Sequence, residues 1–490
     1  MKSAKYLLII SAALCVIFIA YYLKADDNNS SNISLTTKEI FLSKFEQQIE
    51  FHQDIAVSPD NKRIAFIQLE GTGGFAIVNG VRGKVYDRKY FTLVGCTFSP
   101  DSKHLAYPAG TNEKKNFVVL DGEEGPGGFS RIGYPVFSPD SRQLSYYTWD
   151  SNSKKEIVFL NKEKLGGYER ITYLSFSPDG KRLGFVAGEG NKELAIVDGK
   201  EGKYYNYVRG FMFSNDSQHY IYKAWNNKKG IIVKDGIEIS ESNSLETAIF
   251  NPDFSRTACI YKEGDKKFVI VDGKSSKQYD NITELKFSPN GQSFAYAAWN
   301  ISGSGRTMHV VLDGQEQKKY EWVKDITFSP NSERIAYLAG IKGKNEQCIV
   351  VDDNEGKKYI QKLGIPNYNV SPPVFSPDSN HVGYIVEMGD KSWIVVDKIE
   401  GRHYDKIRKE TMSGWYKWDK SFTFGPDGKV AYWAAKKGYG WMVVVDGVES
   451  KAYWGYPEDG KIVFEGPNLL SFVAYRDMEM FRVEIEIKQN

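Results

Sequence analysis

The feature that most constrains this chain is a short pattern that recurs about every forty residues. One full copy, Phe287–Tyr296, reads Phe-Ser-Pro-Asn-Gly-Gln-Ser-Phe-Ala-Tyr. Named by their first turn residue, the copies begin at Ser58, Ser99, Ser138, Ser177, Ser214, Asn251, Ser288, Ser329, Ser376 and Gly425, with a faint copy at Gly466. Successive copies lie 37 to 49 residues apart. A period of this length indicates an array of similar supersecondary units.

Each unit reads as four short strands joined by tight turns. The run Ser177–Gly180 (Ser-Pro-Asp-Gly) supplies the residues that a β-turn prefers. A second turn, Asp-Gly, follows a β-branched run, as at Asp198 and Asp272, and is a strong hairpin signal because both residues accept positive φ. Four strands in about forty residues correspond to one blade of a β-propeller. We therefore predict an all-β fold.

Two positions of the repeat, called here columns when compared across the units, predict how the blades stack. Seven residues after each starting residue stands a small side chain, as at Ala295, and an aromatic one follows, as at Tyr296. Neighbours on a strand point to opposite faces of the sheet. Each blade should therefore present large side chains on one face and small ones on the other.

The repeats predict about eleven four-stranded units within residues 44–490. Single rings usually hold about four to eight blades. The pattern therefore favours two packed rings divided near residues 210–260, where the motif decays, with one large ring as the alternative. The last unit, Lys461–Lys488, has room for only three strands. We expect Phe45–Phe51 to supply the fourth and to close the exposed edges.

The N-terminus predicts export from the cytoplasm. Lys2 and Lys5 precede the apolar run Tyr6–Leu23, which fits a transmembrane signal anchor or a signal peptide cut after Ala25. Either reading places the body of the protein on the periplasmic or extracellular side. The predicted domains are thus a signal or anchor helix at 1–25, a polar linker at 26–43 and the repeat array at 44–490.

Composition and motifs exclude several classes of function. Lys and Arg number 64 against 62 Asp and Glu, a balance that gives no general attraction to nucleic acid. Three cysteines of the repeats, Cys96, Cys259 and Cys348, lack paired spacing and read as small buried hydrophobes. The six histidines are scattered, and neither His-Glu-x-x-His nor Gly-x-Ser-x-Gly occurs in a suitable context. The sequence predicts no catalytic residue, metal site or cofactor.

The pattern Phe-Ser-Pro-Asp-x-Lys-Arg-Leu/Ile-Ala-Tyr/Phe is seen with small departures at Phe176–Phe185 and Phe328–Tyr337. It resembles the TolB-type, WD-like β-propeller repeats of bacterial envelope proteins, over roughly residues 50–490. The resemblance implies a propeller fold and a protein-interaction or scaffold role. That family includes propellers attached to peptidases, but no hydrolase module accompanies the repeats here.

Two constellations are candidates for binding a ligand. Five residues after the starting residue stands a cation in seven units, at Arg63, His104, Arg182, His219, Arg256, Arg334 and His381. A closed ring would gather them around one annulus, where an anionic ligand or an acidic partner could bind; alternatively, they follow a turn and point to solvent. Eleven residues after it stand Trp149, Trp225 and Trp299, which fit either a patch gripping a sugar or peptide or burial between blades.

The longest departures from the repeat are Gln361–Pro373 and Arg408–Lys420, and function often resides on such loops. Altogether the sequence predicts a membrane-anchored, extracytoplasmic β-propeller that binds an envelope protein, a peptide or a glycan without catalysis. The alternatives are a carbohydrate-binding module and a propeller lyase or hydrolase. An enzyme stays open because funnel residues from different blades form no linear motif.

Overall fold

The computed structural model describes residues 20–22, 33–45, 55–91, 95–113, 115–302, 305–360, 369–408, 410–412, 415–417, 421–458 and 460–490. Outside these ranges lie most of the predicted export segment Tyr6–Leu23, all of Phe45–Phe51 but its first residue, and parts of both inserted segments. The described residues form strands and one short 3-10 turn, Arg88–Tyr90.

Eleven sheets of four or five strands follow one another along the chain, and each is one blade of a single ring. We number the blades 1 to 11 in chain order and letter their strands A to D. The A strands of neighbouring blades contact each other, as Arg170–Phe176 contacts Tyr207–Phe213. Strand A is therefore the innermost strand of each blade, and the A strands together line a central channel.

The A strands, from blade 1 to blade 11, are Ala56–Val57, Thr97–Phe98, Arg131–Ile132 with Val136–Phe137, Arg170–Phe176, Tyr207–Phe213, Leu245–Phe250, Asn281–Phe287, Trp322–Phe328, Asn369–Val370 with Val374–Phe375, Lys406–Ile407 with Phe422–Phe424, and Val463–Gly466. The B strands are Ile64–Glu70, Leu105–Thr111, Leu144–Asp150, Leu183–Glu189, Tyr220–Asn226, Thr257–Glu263, Phe294–Ser302, Ile335–Ile341, Val382–Met388, Val430–Lys436 and Leu469–Arg476.

The C strands are Gly73–Val78, Lys115–Leu120, Lys155–Leu160, Lys192–Val197, Lys229–Lys234, Lys266–Val271, Gly305–Leu312, Glu346–Val351, Lys391–Val396, Gly440–Val445 and Glu479–Gln489. The D strands are Val81–Arg82, Glu123–Glu124, Glu163–Tyr168, Lys200–Glu201, Ile237–Ser242, Lys274–Ser275, Gln315–Glu316, Asn354–Glu355, Ile399–Glu400, Val448–Glu449 and Ile33–Lys44. The remaining strands are Ala20–Tyr22, Tyr86–Asp87, Tyr359–Ile360, and the hairpin of Glu410–Met412 with Trp415–Lys417.

The recurring motif forms the A–B turn of each blade. In blade 7 the Ser288 hydroxyl donates to Asn290 Oδ1 (2.8 Å) and accepts from the Ser293 N–H (3.0 Å), so one side chain closes the turn. The Asn290 N–H then donates to Ser332 Oγ in blade 8 (3.0 Å). The motif therefore both turns the chain and joins one blade to the next.

The blades stack as the two columns predict. Tyr296 is almost fully buried and packs towards blade 6 with Val269 and Val271, whereas Ala295 and Ala297 pack towards blade 8. Apolar clusters of this kind lie between every pair of neighbouring blades, including blades 11 and 1. The large and small faces thus interlock around the whole ring.

The prediction of two packed rings is wrong, and the alternative, one large ring, is observed. Stacking continues without a break through residues 210–260. Tyr222 of blade 5 packs in the cluster that joins blade 4, and Ile221 packs in the cluster that joins Cys259 of blade 6. Only the turn residues of the motif depart from the repeat in this region. The apolar side chains on both faces of the blades, which determine stacking, are retained.

The ring is closed by the N-terminal strand Ile33–Lys44, which is strand D of blade 11. It pairs antiparallel with Glu479–Gln489, from Ile33 opposite Gln489 to Lys44 opposite Glu479. The closing strand therefore lies earlier than the predicted Phe45–Phe51 and takes up much of the predicted linker 26–43. Its alternation of buried Ile33 and Leu35 with less buried residues is a half-buried strand pattern within a polar run.

Near the end of the predicted export helix, the described residues form a strand and not a helix. Ala20–Tyr22 is a strand that pairs with Thr36–Lys38 on the outer side of the closing strand. The physical reason is that an outermost strand presents unpaired N–H and C=O groups, which a further strand can satisfy. Within the ranges given above, no helix has the length and apolar character of a membrane span.

A repeated clamp joins the outer parts of neighbouring blades. The Tyr359 hydroxyl donates to Glu400 Oε1 of the next blade (3.0 Å), and Lys357 Nζ donates to Oε2 (2.7 Å). The same tyrosine–glutamate pair occurs at Tyr205–Glu238, Tyr279–Glu316 and Tyr404–Glu449. At the closure, Tyr453 donates to Glu39 Oε1 of the N-terminal strand (2.8 Å). The first and last parts of the chain thus meet through the clamp used elsewhere.

These clamps predict a dependence of stability on pH. Burial opposes ionisation of Glu400, but hydrogen bonds from Lys357 and Tyr359 outweigh it and hold its pKa below the ordinary 4.5. A lowered folded-state pKa contributes stability that is complete above the unfolded pKa and is lost as pH falls through the folded one. We expect Glu400→Gln to lower the free energy of unfolding by roughly 1–2 kcal/mol near neutrality and by much less near pH 3.

Urea denaturation at the two pH values measures this difference. Glu70→Gln, at a glutamate with a largely exposed side chain, is the control and should change stability little at either pH. An equal effect of Glu400→Gln at both pH values would contradict the role given to the ionised clamp.

Candidate functional site

The turns of the blades divide between two faces of the ring. The A–B turns and C–D hairpins lie on one face, called here the turn face, because strands B and D both run antiparallel to strands A and C. The B–C loops and the links to the next blade lie on the opposite face, called the loop face. The channel wall, the turn face and the loop face are available to a partner, as is the outer rim formed by the D strands.

The predicted cations follow the A–B turns on the turn face. Arg334 Nε donates to Asp352 Oδ2 of the C–D hairpin in its own blade (2.8 Å). A terminal nitrogen of Arg334 donates to the carbonyl oxygens of Ser379 (3.1 Å) and Asn380 (2.9 Å) in the next blade. The same arrangement is found at Arg182 and Arg256. These arginines therefore join a hairpin to the neighbouring blade.

Arg63 and three histidines complete the set. A terminal nitrogen of Arg63 donates to the carbonyl oxygens of Ser102 (3.1 Å) and Lys103 (2.6 Å). The Nδ1 atoms of the histidines lie 2.5 to 2.7 Å from hairpin aspartates, in the pairs His104–Asp121, His219–Asp235 and His381–Asp397. All seven side chains thus have structural partners, and binding of an anionic ligand stays a prediction.

The predicted tryptophans lie on the loop face, near the end of strand B in blades 3, 5 and 7. Trp149, Trp225 and Trp299 are each half-buried. Blades 4 and 6, which lie between these three blades, have no tryptophan at the same position of the repeat. Gly188 stands there in blade 4 and Lys262 in blade 6. The three residues are therefore not on adjacent blades, and a continuous aromatic patch is not formed by them alone.

Both inserted segments lead into split innermost strands of adjacent blades. Residues 361–368 precede strand A of blade 9, and the hairpin of Glu410–Met412 with Trp415–Lys417 separates the two halves of strand A in blade 10. Trp418 lies outside the described residues. Trp433, close to the second insertion in sequence, is buried against Phe472 of blade 11 with ring centroids 4.8 Å apart.

Sequence reasoning missed an aromatic stretch on the channel wall of blades 3 to 5. Tyr134 stands between the two halves of strand A in blade 3 and is 63% exposed. Tyr173, on strand A of blade 4, is 44% exposed and has a left-handed φ of 55°. Exposed Tyr207 and Met212 lie on strand A of blade 5. We call Tyr134, Tyr173, Tyr207 and Met212 the channel patch.

The signal for this patch is a β-bulge in strand A. Pairing with strand B shifts register between Thr172 and Ser175, so Tyr173 lies at an irregular position where a bulge redirects a side chain. Tyr134 and Tyr173 both stand four residues before the starting residue of their motif. Comparing that position across the units could have identified these two tyrosines, but not Tyr207 or Met212, since Gly210 stands at this position in blade 5.

The corresponding wall of blades 7 and 8 is charged. Glu284, also at the bulge position, accepts the backbone N–H groups of Asp325 and Ile326 (2.9 Å each). Lys286 Nζ donates to the Ile326 carbonyl oxygen (2.5 Å). Burial raises the pKa of the Asp325 carboxyl. Tyr173 shares strand A of blade 4 with Arg170, which pairs with Glu193. At the same level of blade 7, Glu284 and Lys286 bond instead to the backbone of blade 8.

The cysteines agree with their interpretation as small hydrophobes. Cys259 and Cys348 are buried, Cys96 is half-buried, and all three are free thiols. Burial raises the pKa of the Cys259 and Cys348 thiols to about 11. Across the described part of the chain, no group of three or more His, Cys, Asp and Glu side chains is arranged to hold a metal ion.

No protein-family model and no curated protein matches the sequence. Among solved structures, the chain is similar to the C-terminal WD40 domain of Sif2, at 12% identity over 72% of this chain and 96% of that one, with a TM-score of 0.33. It is similar to the Dos1 propeller at 12% identity over 80% and 92% of the two chains, with a TM-score of 0.32. The propeller domain of the Trilobed protease from Pyrococcus furiosus matches at 12% over 56% and 94%, with a TM-score of 0.29.

The class of protein follows from the strand pairing itself. Each sheet is an antiparallel unit of four or five strands, and the units succeed one another around one channel. The N-terminal strand and the C-terminal strands share the last sheet. The protein is an eleven-bladed β-propeller in one ring.

Proposed function

We propose that the protein is a non-catalytic binding scaffold of the bacterial envelope, of the TolB-type, WD-like class, and that it binds a protein partner through the channel patch. The carrying observation is that Tyr134 and Tyr173 are exposed on adjacent innermost strands. Neither belongs to an apolar cluster between blades, so stacking does not account for them. Of the two sites predicted from the sequence, the cation ring is engaged in contacts within the fold, and the three tryptophans lie on blades that are not adjacent.

The chemistry of the patch suits a protein segment. Tyrosine offers a large apolar ring and a hydroxyl, and such residues are enriched at the energetically dominant positions of interfaces. Met212 adds an adaptable apolar side chain beside them. The patch lies on innermost strands, so a loop or extended segment of a partner would contact it from within the channel.

The envelope location rests on the sequence of the N-terminus. Lys2 and Lys5 followed by Tyr6–Leu23 support export, by a signal anchor or by a signal peptide cut after Ala25. Cleavage after Ala25 would remove the strand Ala20–Tyr22, whereas an uncleaved anchor would retain it. Fractionation of cells into cytoplasmic, periplasmic and membrane material tests the location, and recovery in the cytoplasm alone would contradict it.

The binding proposal is tested by the double variant Tyr134→Ser with Tyr173→Ser. Truncating two central aromatic contacts should weaken partner binding by at least roughly 30-fold, because a single such residue already contributes about 2 kcal/mol or more. The measurement is affinity capture of the full-length protein from crosslinked envelopes, followed by mass spectrometry. The thermal unfolding midpoint should hardly change, since both side chains are exposed.

The matched control is Tyr439→Ser, which removes a tyrosine that is 74% exposed in the B–C loop of blade 10. Capture of the same partner by the wild type and this control, but not by the double variant, supports the proposal. Equal capture by all three excludes the channel patch. Loss of a partner only when Trp225 and Trp299 are replaced would instead favour the loop face.

A further inference from the structure

A cleft of about 800 Å³ lies on the loop face where blades 9, 10 and 11 meet. It is bounded by the B–C loops of blades 9 and 10 and by the link that leads into blade 11. Sites for small molecules usually measure about 300–1,000 Å³ and favour junctions between structural units. The cleft therefore has the size and the position of a small-molecule binding site. It is separate from the channel patch.

One wall of the cleft is aromatic and firmly supported. Trp441 and Tyr456 meet edge to face with ring centroids 5.1 Å apart, and Tyr456 packs on the buried Trp433 at 4.7 Å. The Arg408 guanidinium lies 4.3 Å from the centroid of the Tyr456 ring and donates to the carbonyl oxygens of Glu458 and Gly460. Tyr456 is thus held on both sides, which fixes the half-buried Trp441 beside it.

Trp441 is particular to this blade. Trp441 stands at the start of strand C and forms an isolated β-bridge with Tyr453, in the link to the next blade. In other blades the partner at the position of Tyr453 is a tyrosine or a phenylalanine. The residues that make the corresponding bridge in other blades are Asn116, Glu193, Lys267, Met308 and Ser392. The repeat itself does not require a tryptophan here. The indole packs in part against the apolar cluster between blades 10 and 11, and it also lines the cleft.

The rest of the lining carries charges of both signs. The acids are Glu387, Asp390 and Asp405, and the bases are Lys406, Arg408, Lys436 and Lys437. Asp405 is fixed by Lys391 Nζ and by the Lys437 N–H, both at 2.6 Å. Such a lining offers hydrogen-bond acceptors and donors in fixed positions, and its acidic and basic side chains are nearly equal in number. It discriminates against a strongly anionic ligand and against a strongly cationic one.

We propose that this cleft binds a neutral oligosaccharide, with one sugar ring against Trp441 and its hydroxyls bonded to Asp405 and the neighbouring lysines. A sugar hydroxyl both donates and accepts, which matches a lining of carboxylates and ammonium groups. The apolar C–H face of a pyranose suits a flat aromatic wall, as the amphipathic character of aromatic sites suggests. The inference does not depend on the partner proposed for the channel.

The test uses the purified full-length protein and three neutral probes, chitotetraose, cellotetraose and maltotetraose. Saturation-transfer NMR detects contact, and tryptophan fluorescence measures affinity. Trp441→Leu, which retains apolar volume, and Asp405→Asn should each weaken the bound probe by about tenfold or more. The Tyr134→Ser, Tyr173→Ser variant should bind it as the wild type does, which separates this site from the channel patch.

Blade 7 provides a matched control for Asp405. Asp280 accepts from Lys266 Nζ (2.6 Å) and from the Ile301 N–H (2.5 Å), the same pair of contacts away from the cleft. Asp280→Asn should leave binding of the probe within about twofold of the wild type. The proposal is overturned if none of the three probes binds, if Asp405→Asn and Trp441→Leu bind as Asp280→Asn does, or if inorganic phosphate displaces the bound probe.

Discussion

Deleting residues 1–44 is expected to lower the free energy of unfolding by at least about 5 kcal/mol, because burial of Ile33, Leu35 and Leu42 contributes roughly 1.5–3 kcal/mol each. The deletion also removes Glu39, which accepts hydrogen bonds from Tyr453 and Arg476. Blade 11 would then end in an unpaired strand, and an exposed edge promotes association between molecules. Thermal unfolding and size-exclusion chromatography with X-ray scattering measure both effects.

The control is deletion of residues 1–32, which retains the closing strand and should preserve a monodisperse ring. If the longer deletion unfolds at the same temperature and has the same radius of gyration as the shorter one, strand D of blade 11 does not close the ring. A decrease common to both deletions would instead attribute the effect to residues before Ile33.

Tyr296→Ala is expected to destabilise the protein by about 3–5 kcal/mol, the usual cost of truncating a large buried ring. Tyr296 is 1% exposed and meets Tyr279 edge to face with ring centroids 6.1 Å apart. Its loss leaves a cavity between blades 6 and 7 that rigid neighbouring sheets cannot fill. Chemical denaturation gives the value, and fluorescence reports whether unfolding remains cooperative.

Tyr439→Ala serves as its control, since this ring is largely exposed and should change the free energy of unfolding by no more than about 0.5 kcal/mol. A destabilisation by Tyr296→Ala as small as that of the control would be incompatible with stacking through this column. The same aromatic column recurs in most blades, so the result bears on the whole ring.

The blade was predictable because its signals are local. The turn at Ser288 and the Asp-Gly hairpin at Asp272 follow from the φ values that those residues accept, and Asp272 and Gly273 do have φ of 49° and 79°. The alternation of Ala295 and Tyr296 follows from the pleat of a strand. Each of these inferences requires only neighbouring residues.

The number of rings was not predictable in the same way. Ring size depends on the angle between successive blades, and that angle arises from many small packing contacts that no single motif records. Decay of the turn at Asn251 suggested a boundary, yet Ile221 and Cys259 keep the sheets in contact there. The residues that form the turns and the side chains that pack between blades are separate features of a blade. Only the packing between blades determines how many of them close the ring.

The candidate site was predicted in part. The column that contains Arg334 does lie on one face, but its partners Asp352, Ser379 and Asn380 come from a hairpin and from the next blade, which sequence spacing does not reveal. Tyr173 was overlooked because a bulge, and not a strand period, determines its direction. Exposure of a side chain at such a position becomes evident only once the strands are paired.

The clamp between Glu39 and Tyr453 has the same chemistry as the clamp between Tyr359 and Glu400, although only the second joins consecutive blades of a continuous stretch of chain. The N-terminal strand is thus held to blade 10 by a contact that other blade boundaries also use, so its attachment needs no chemistry special to that place. Circular permutants that begin at another blade boundary can therefore assemble the same particle.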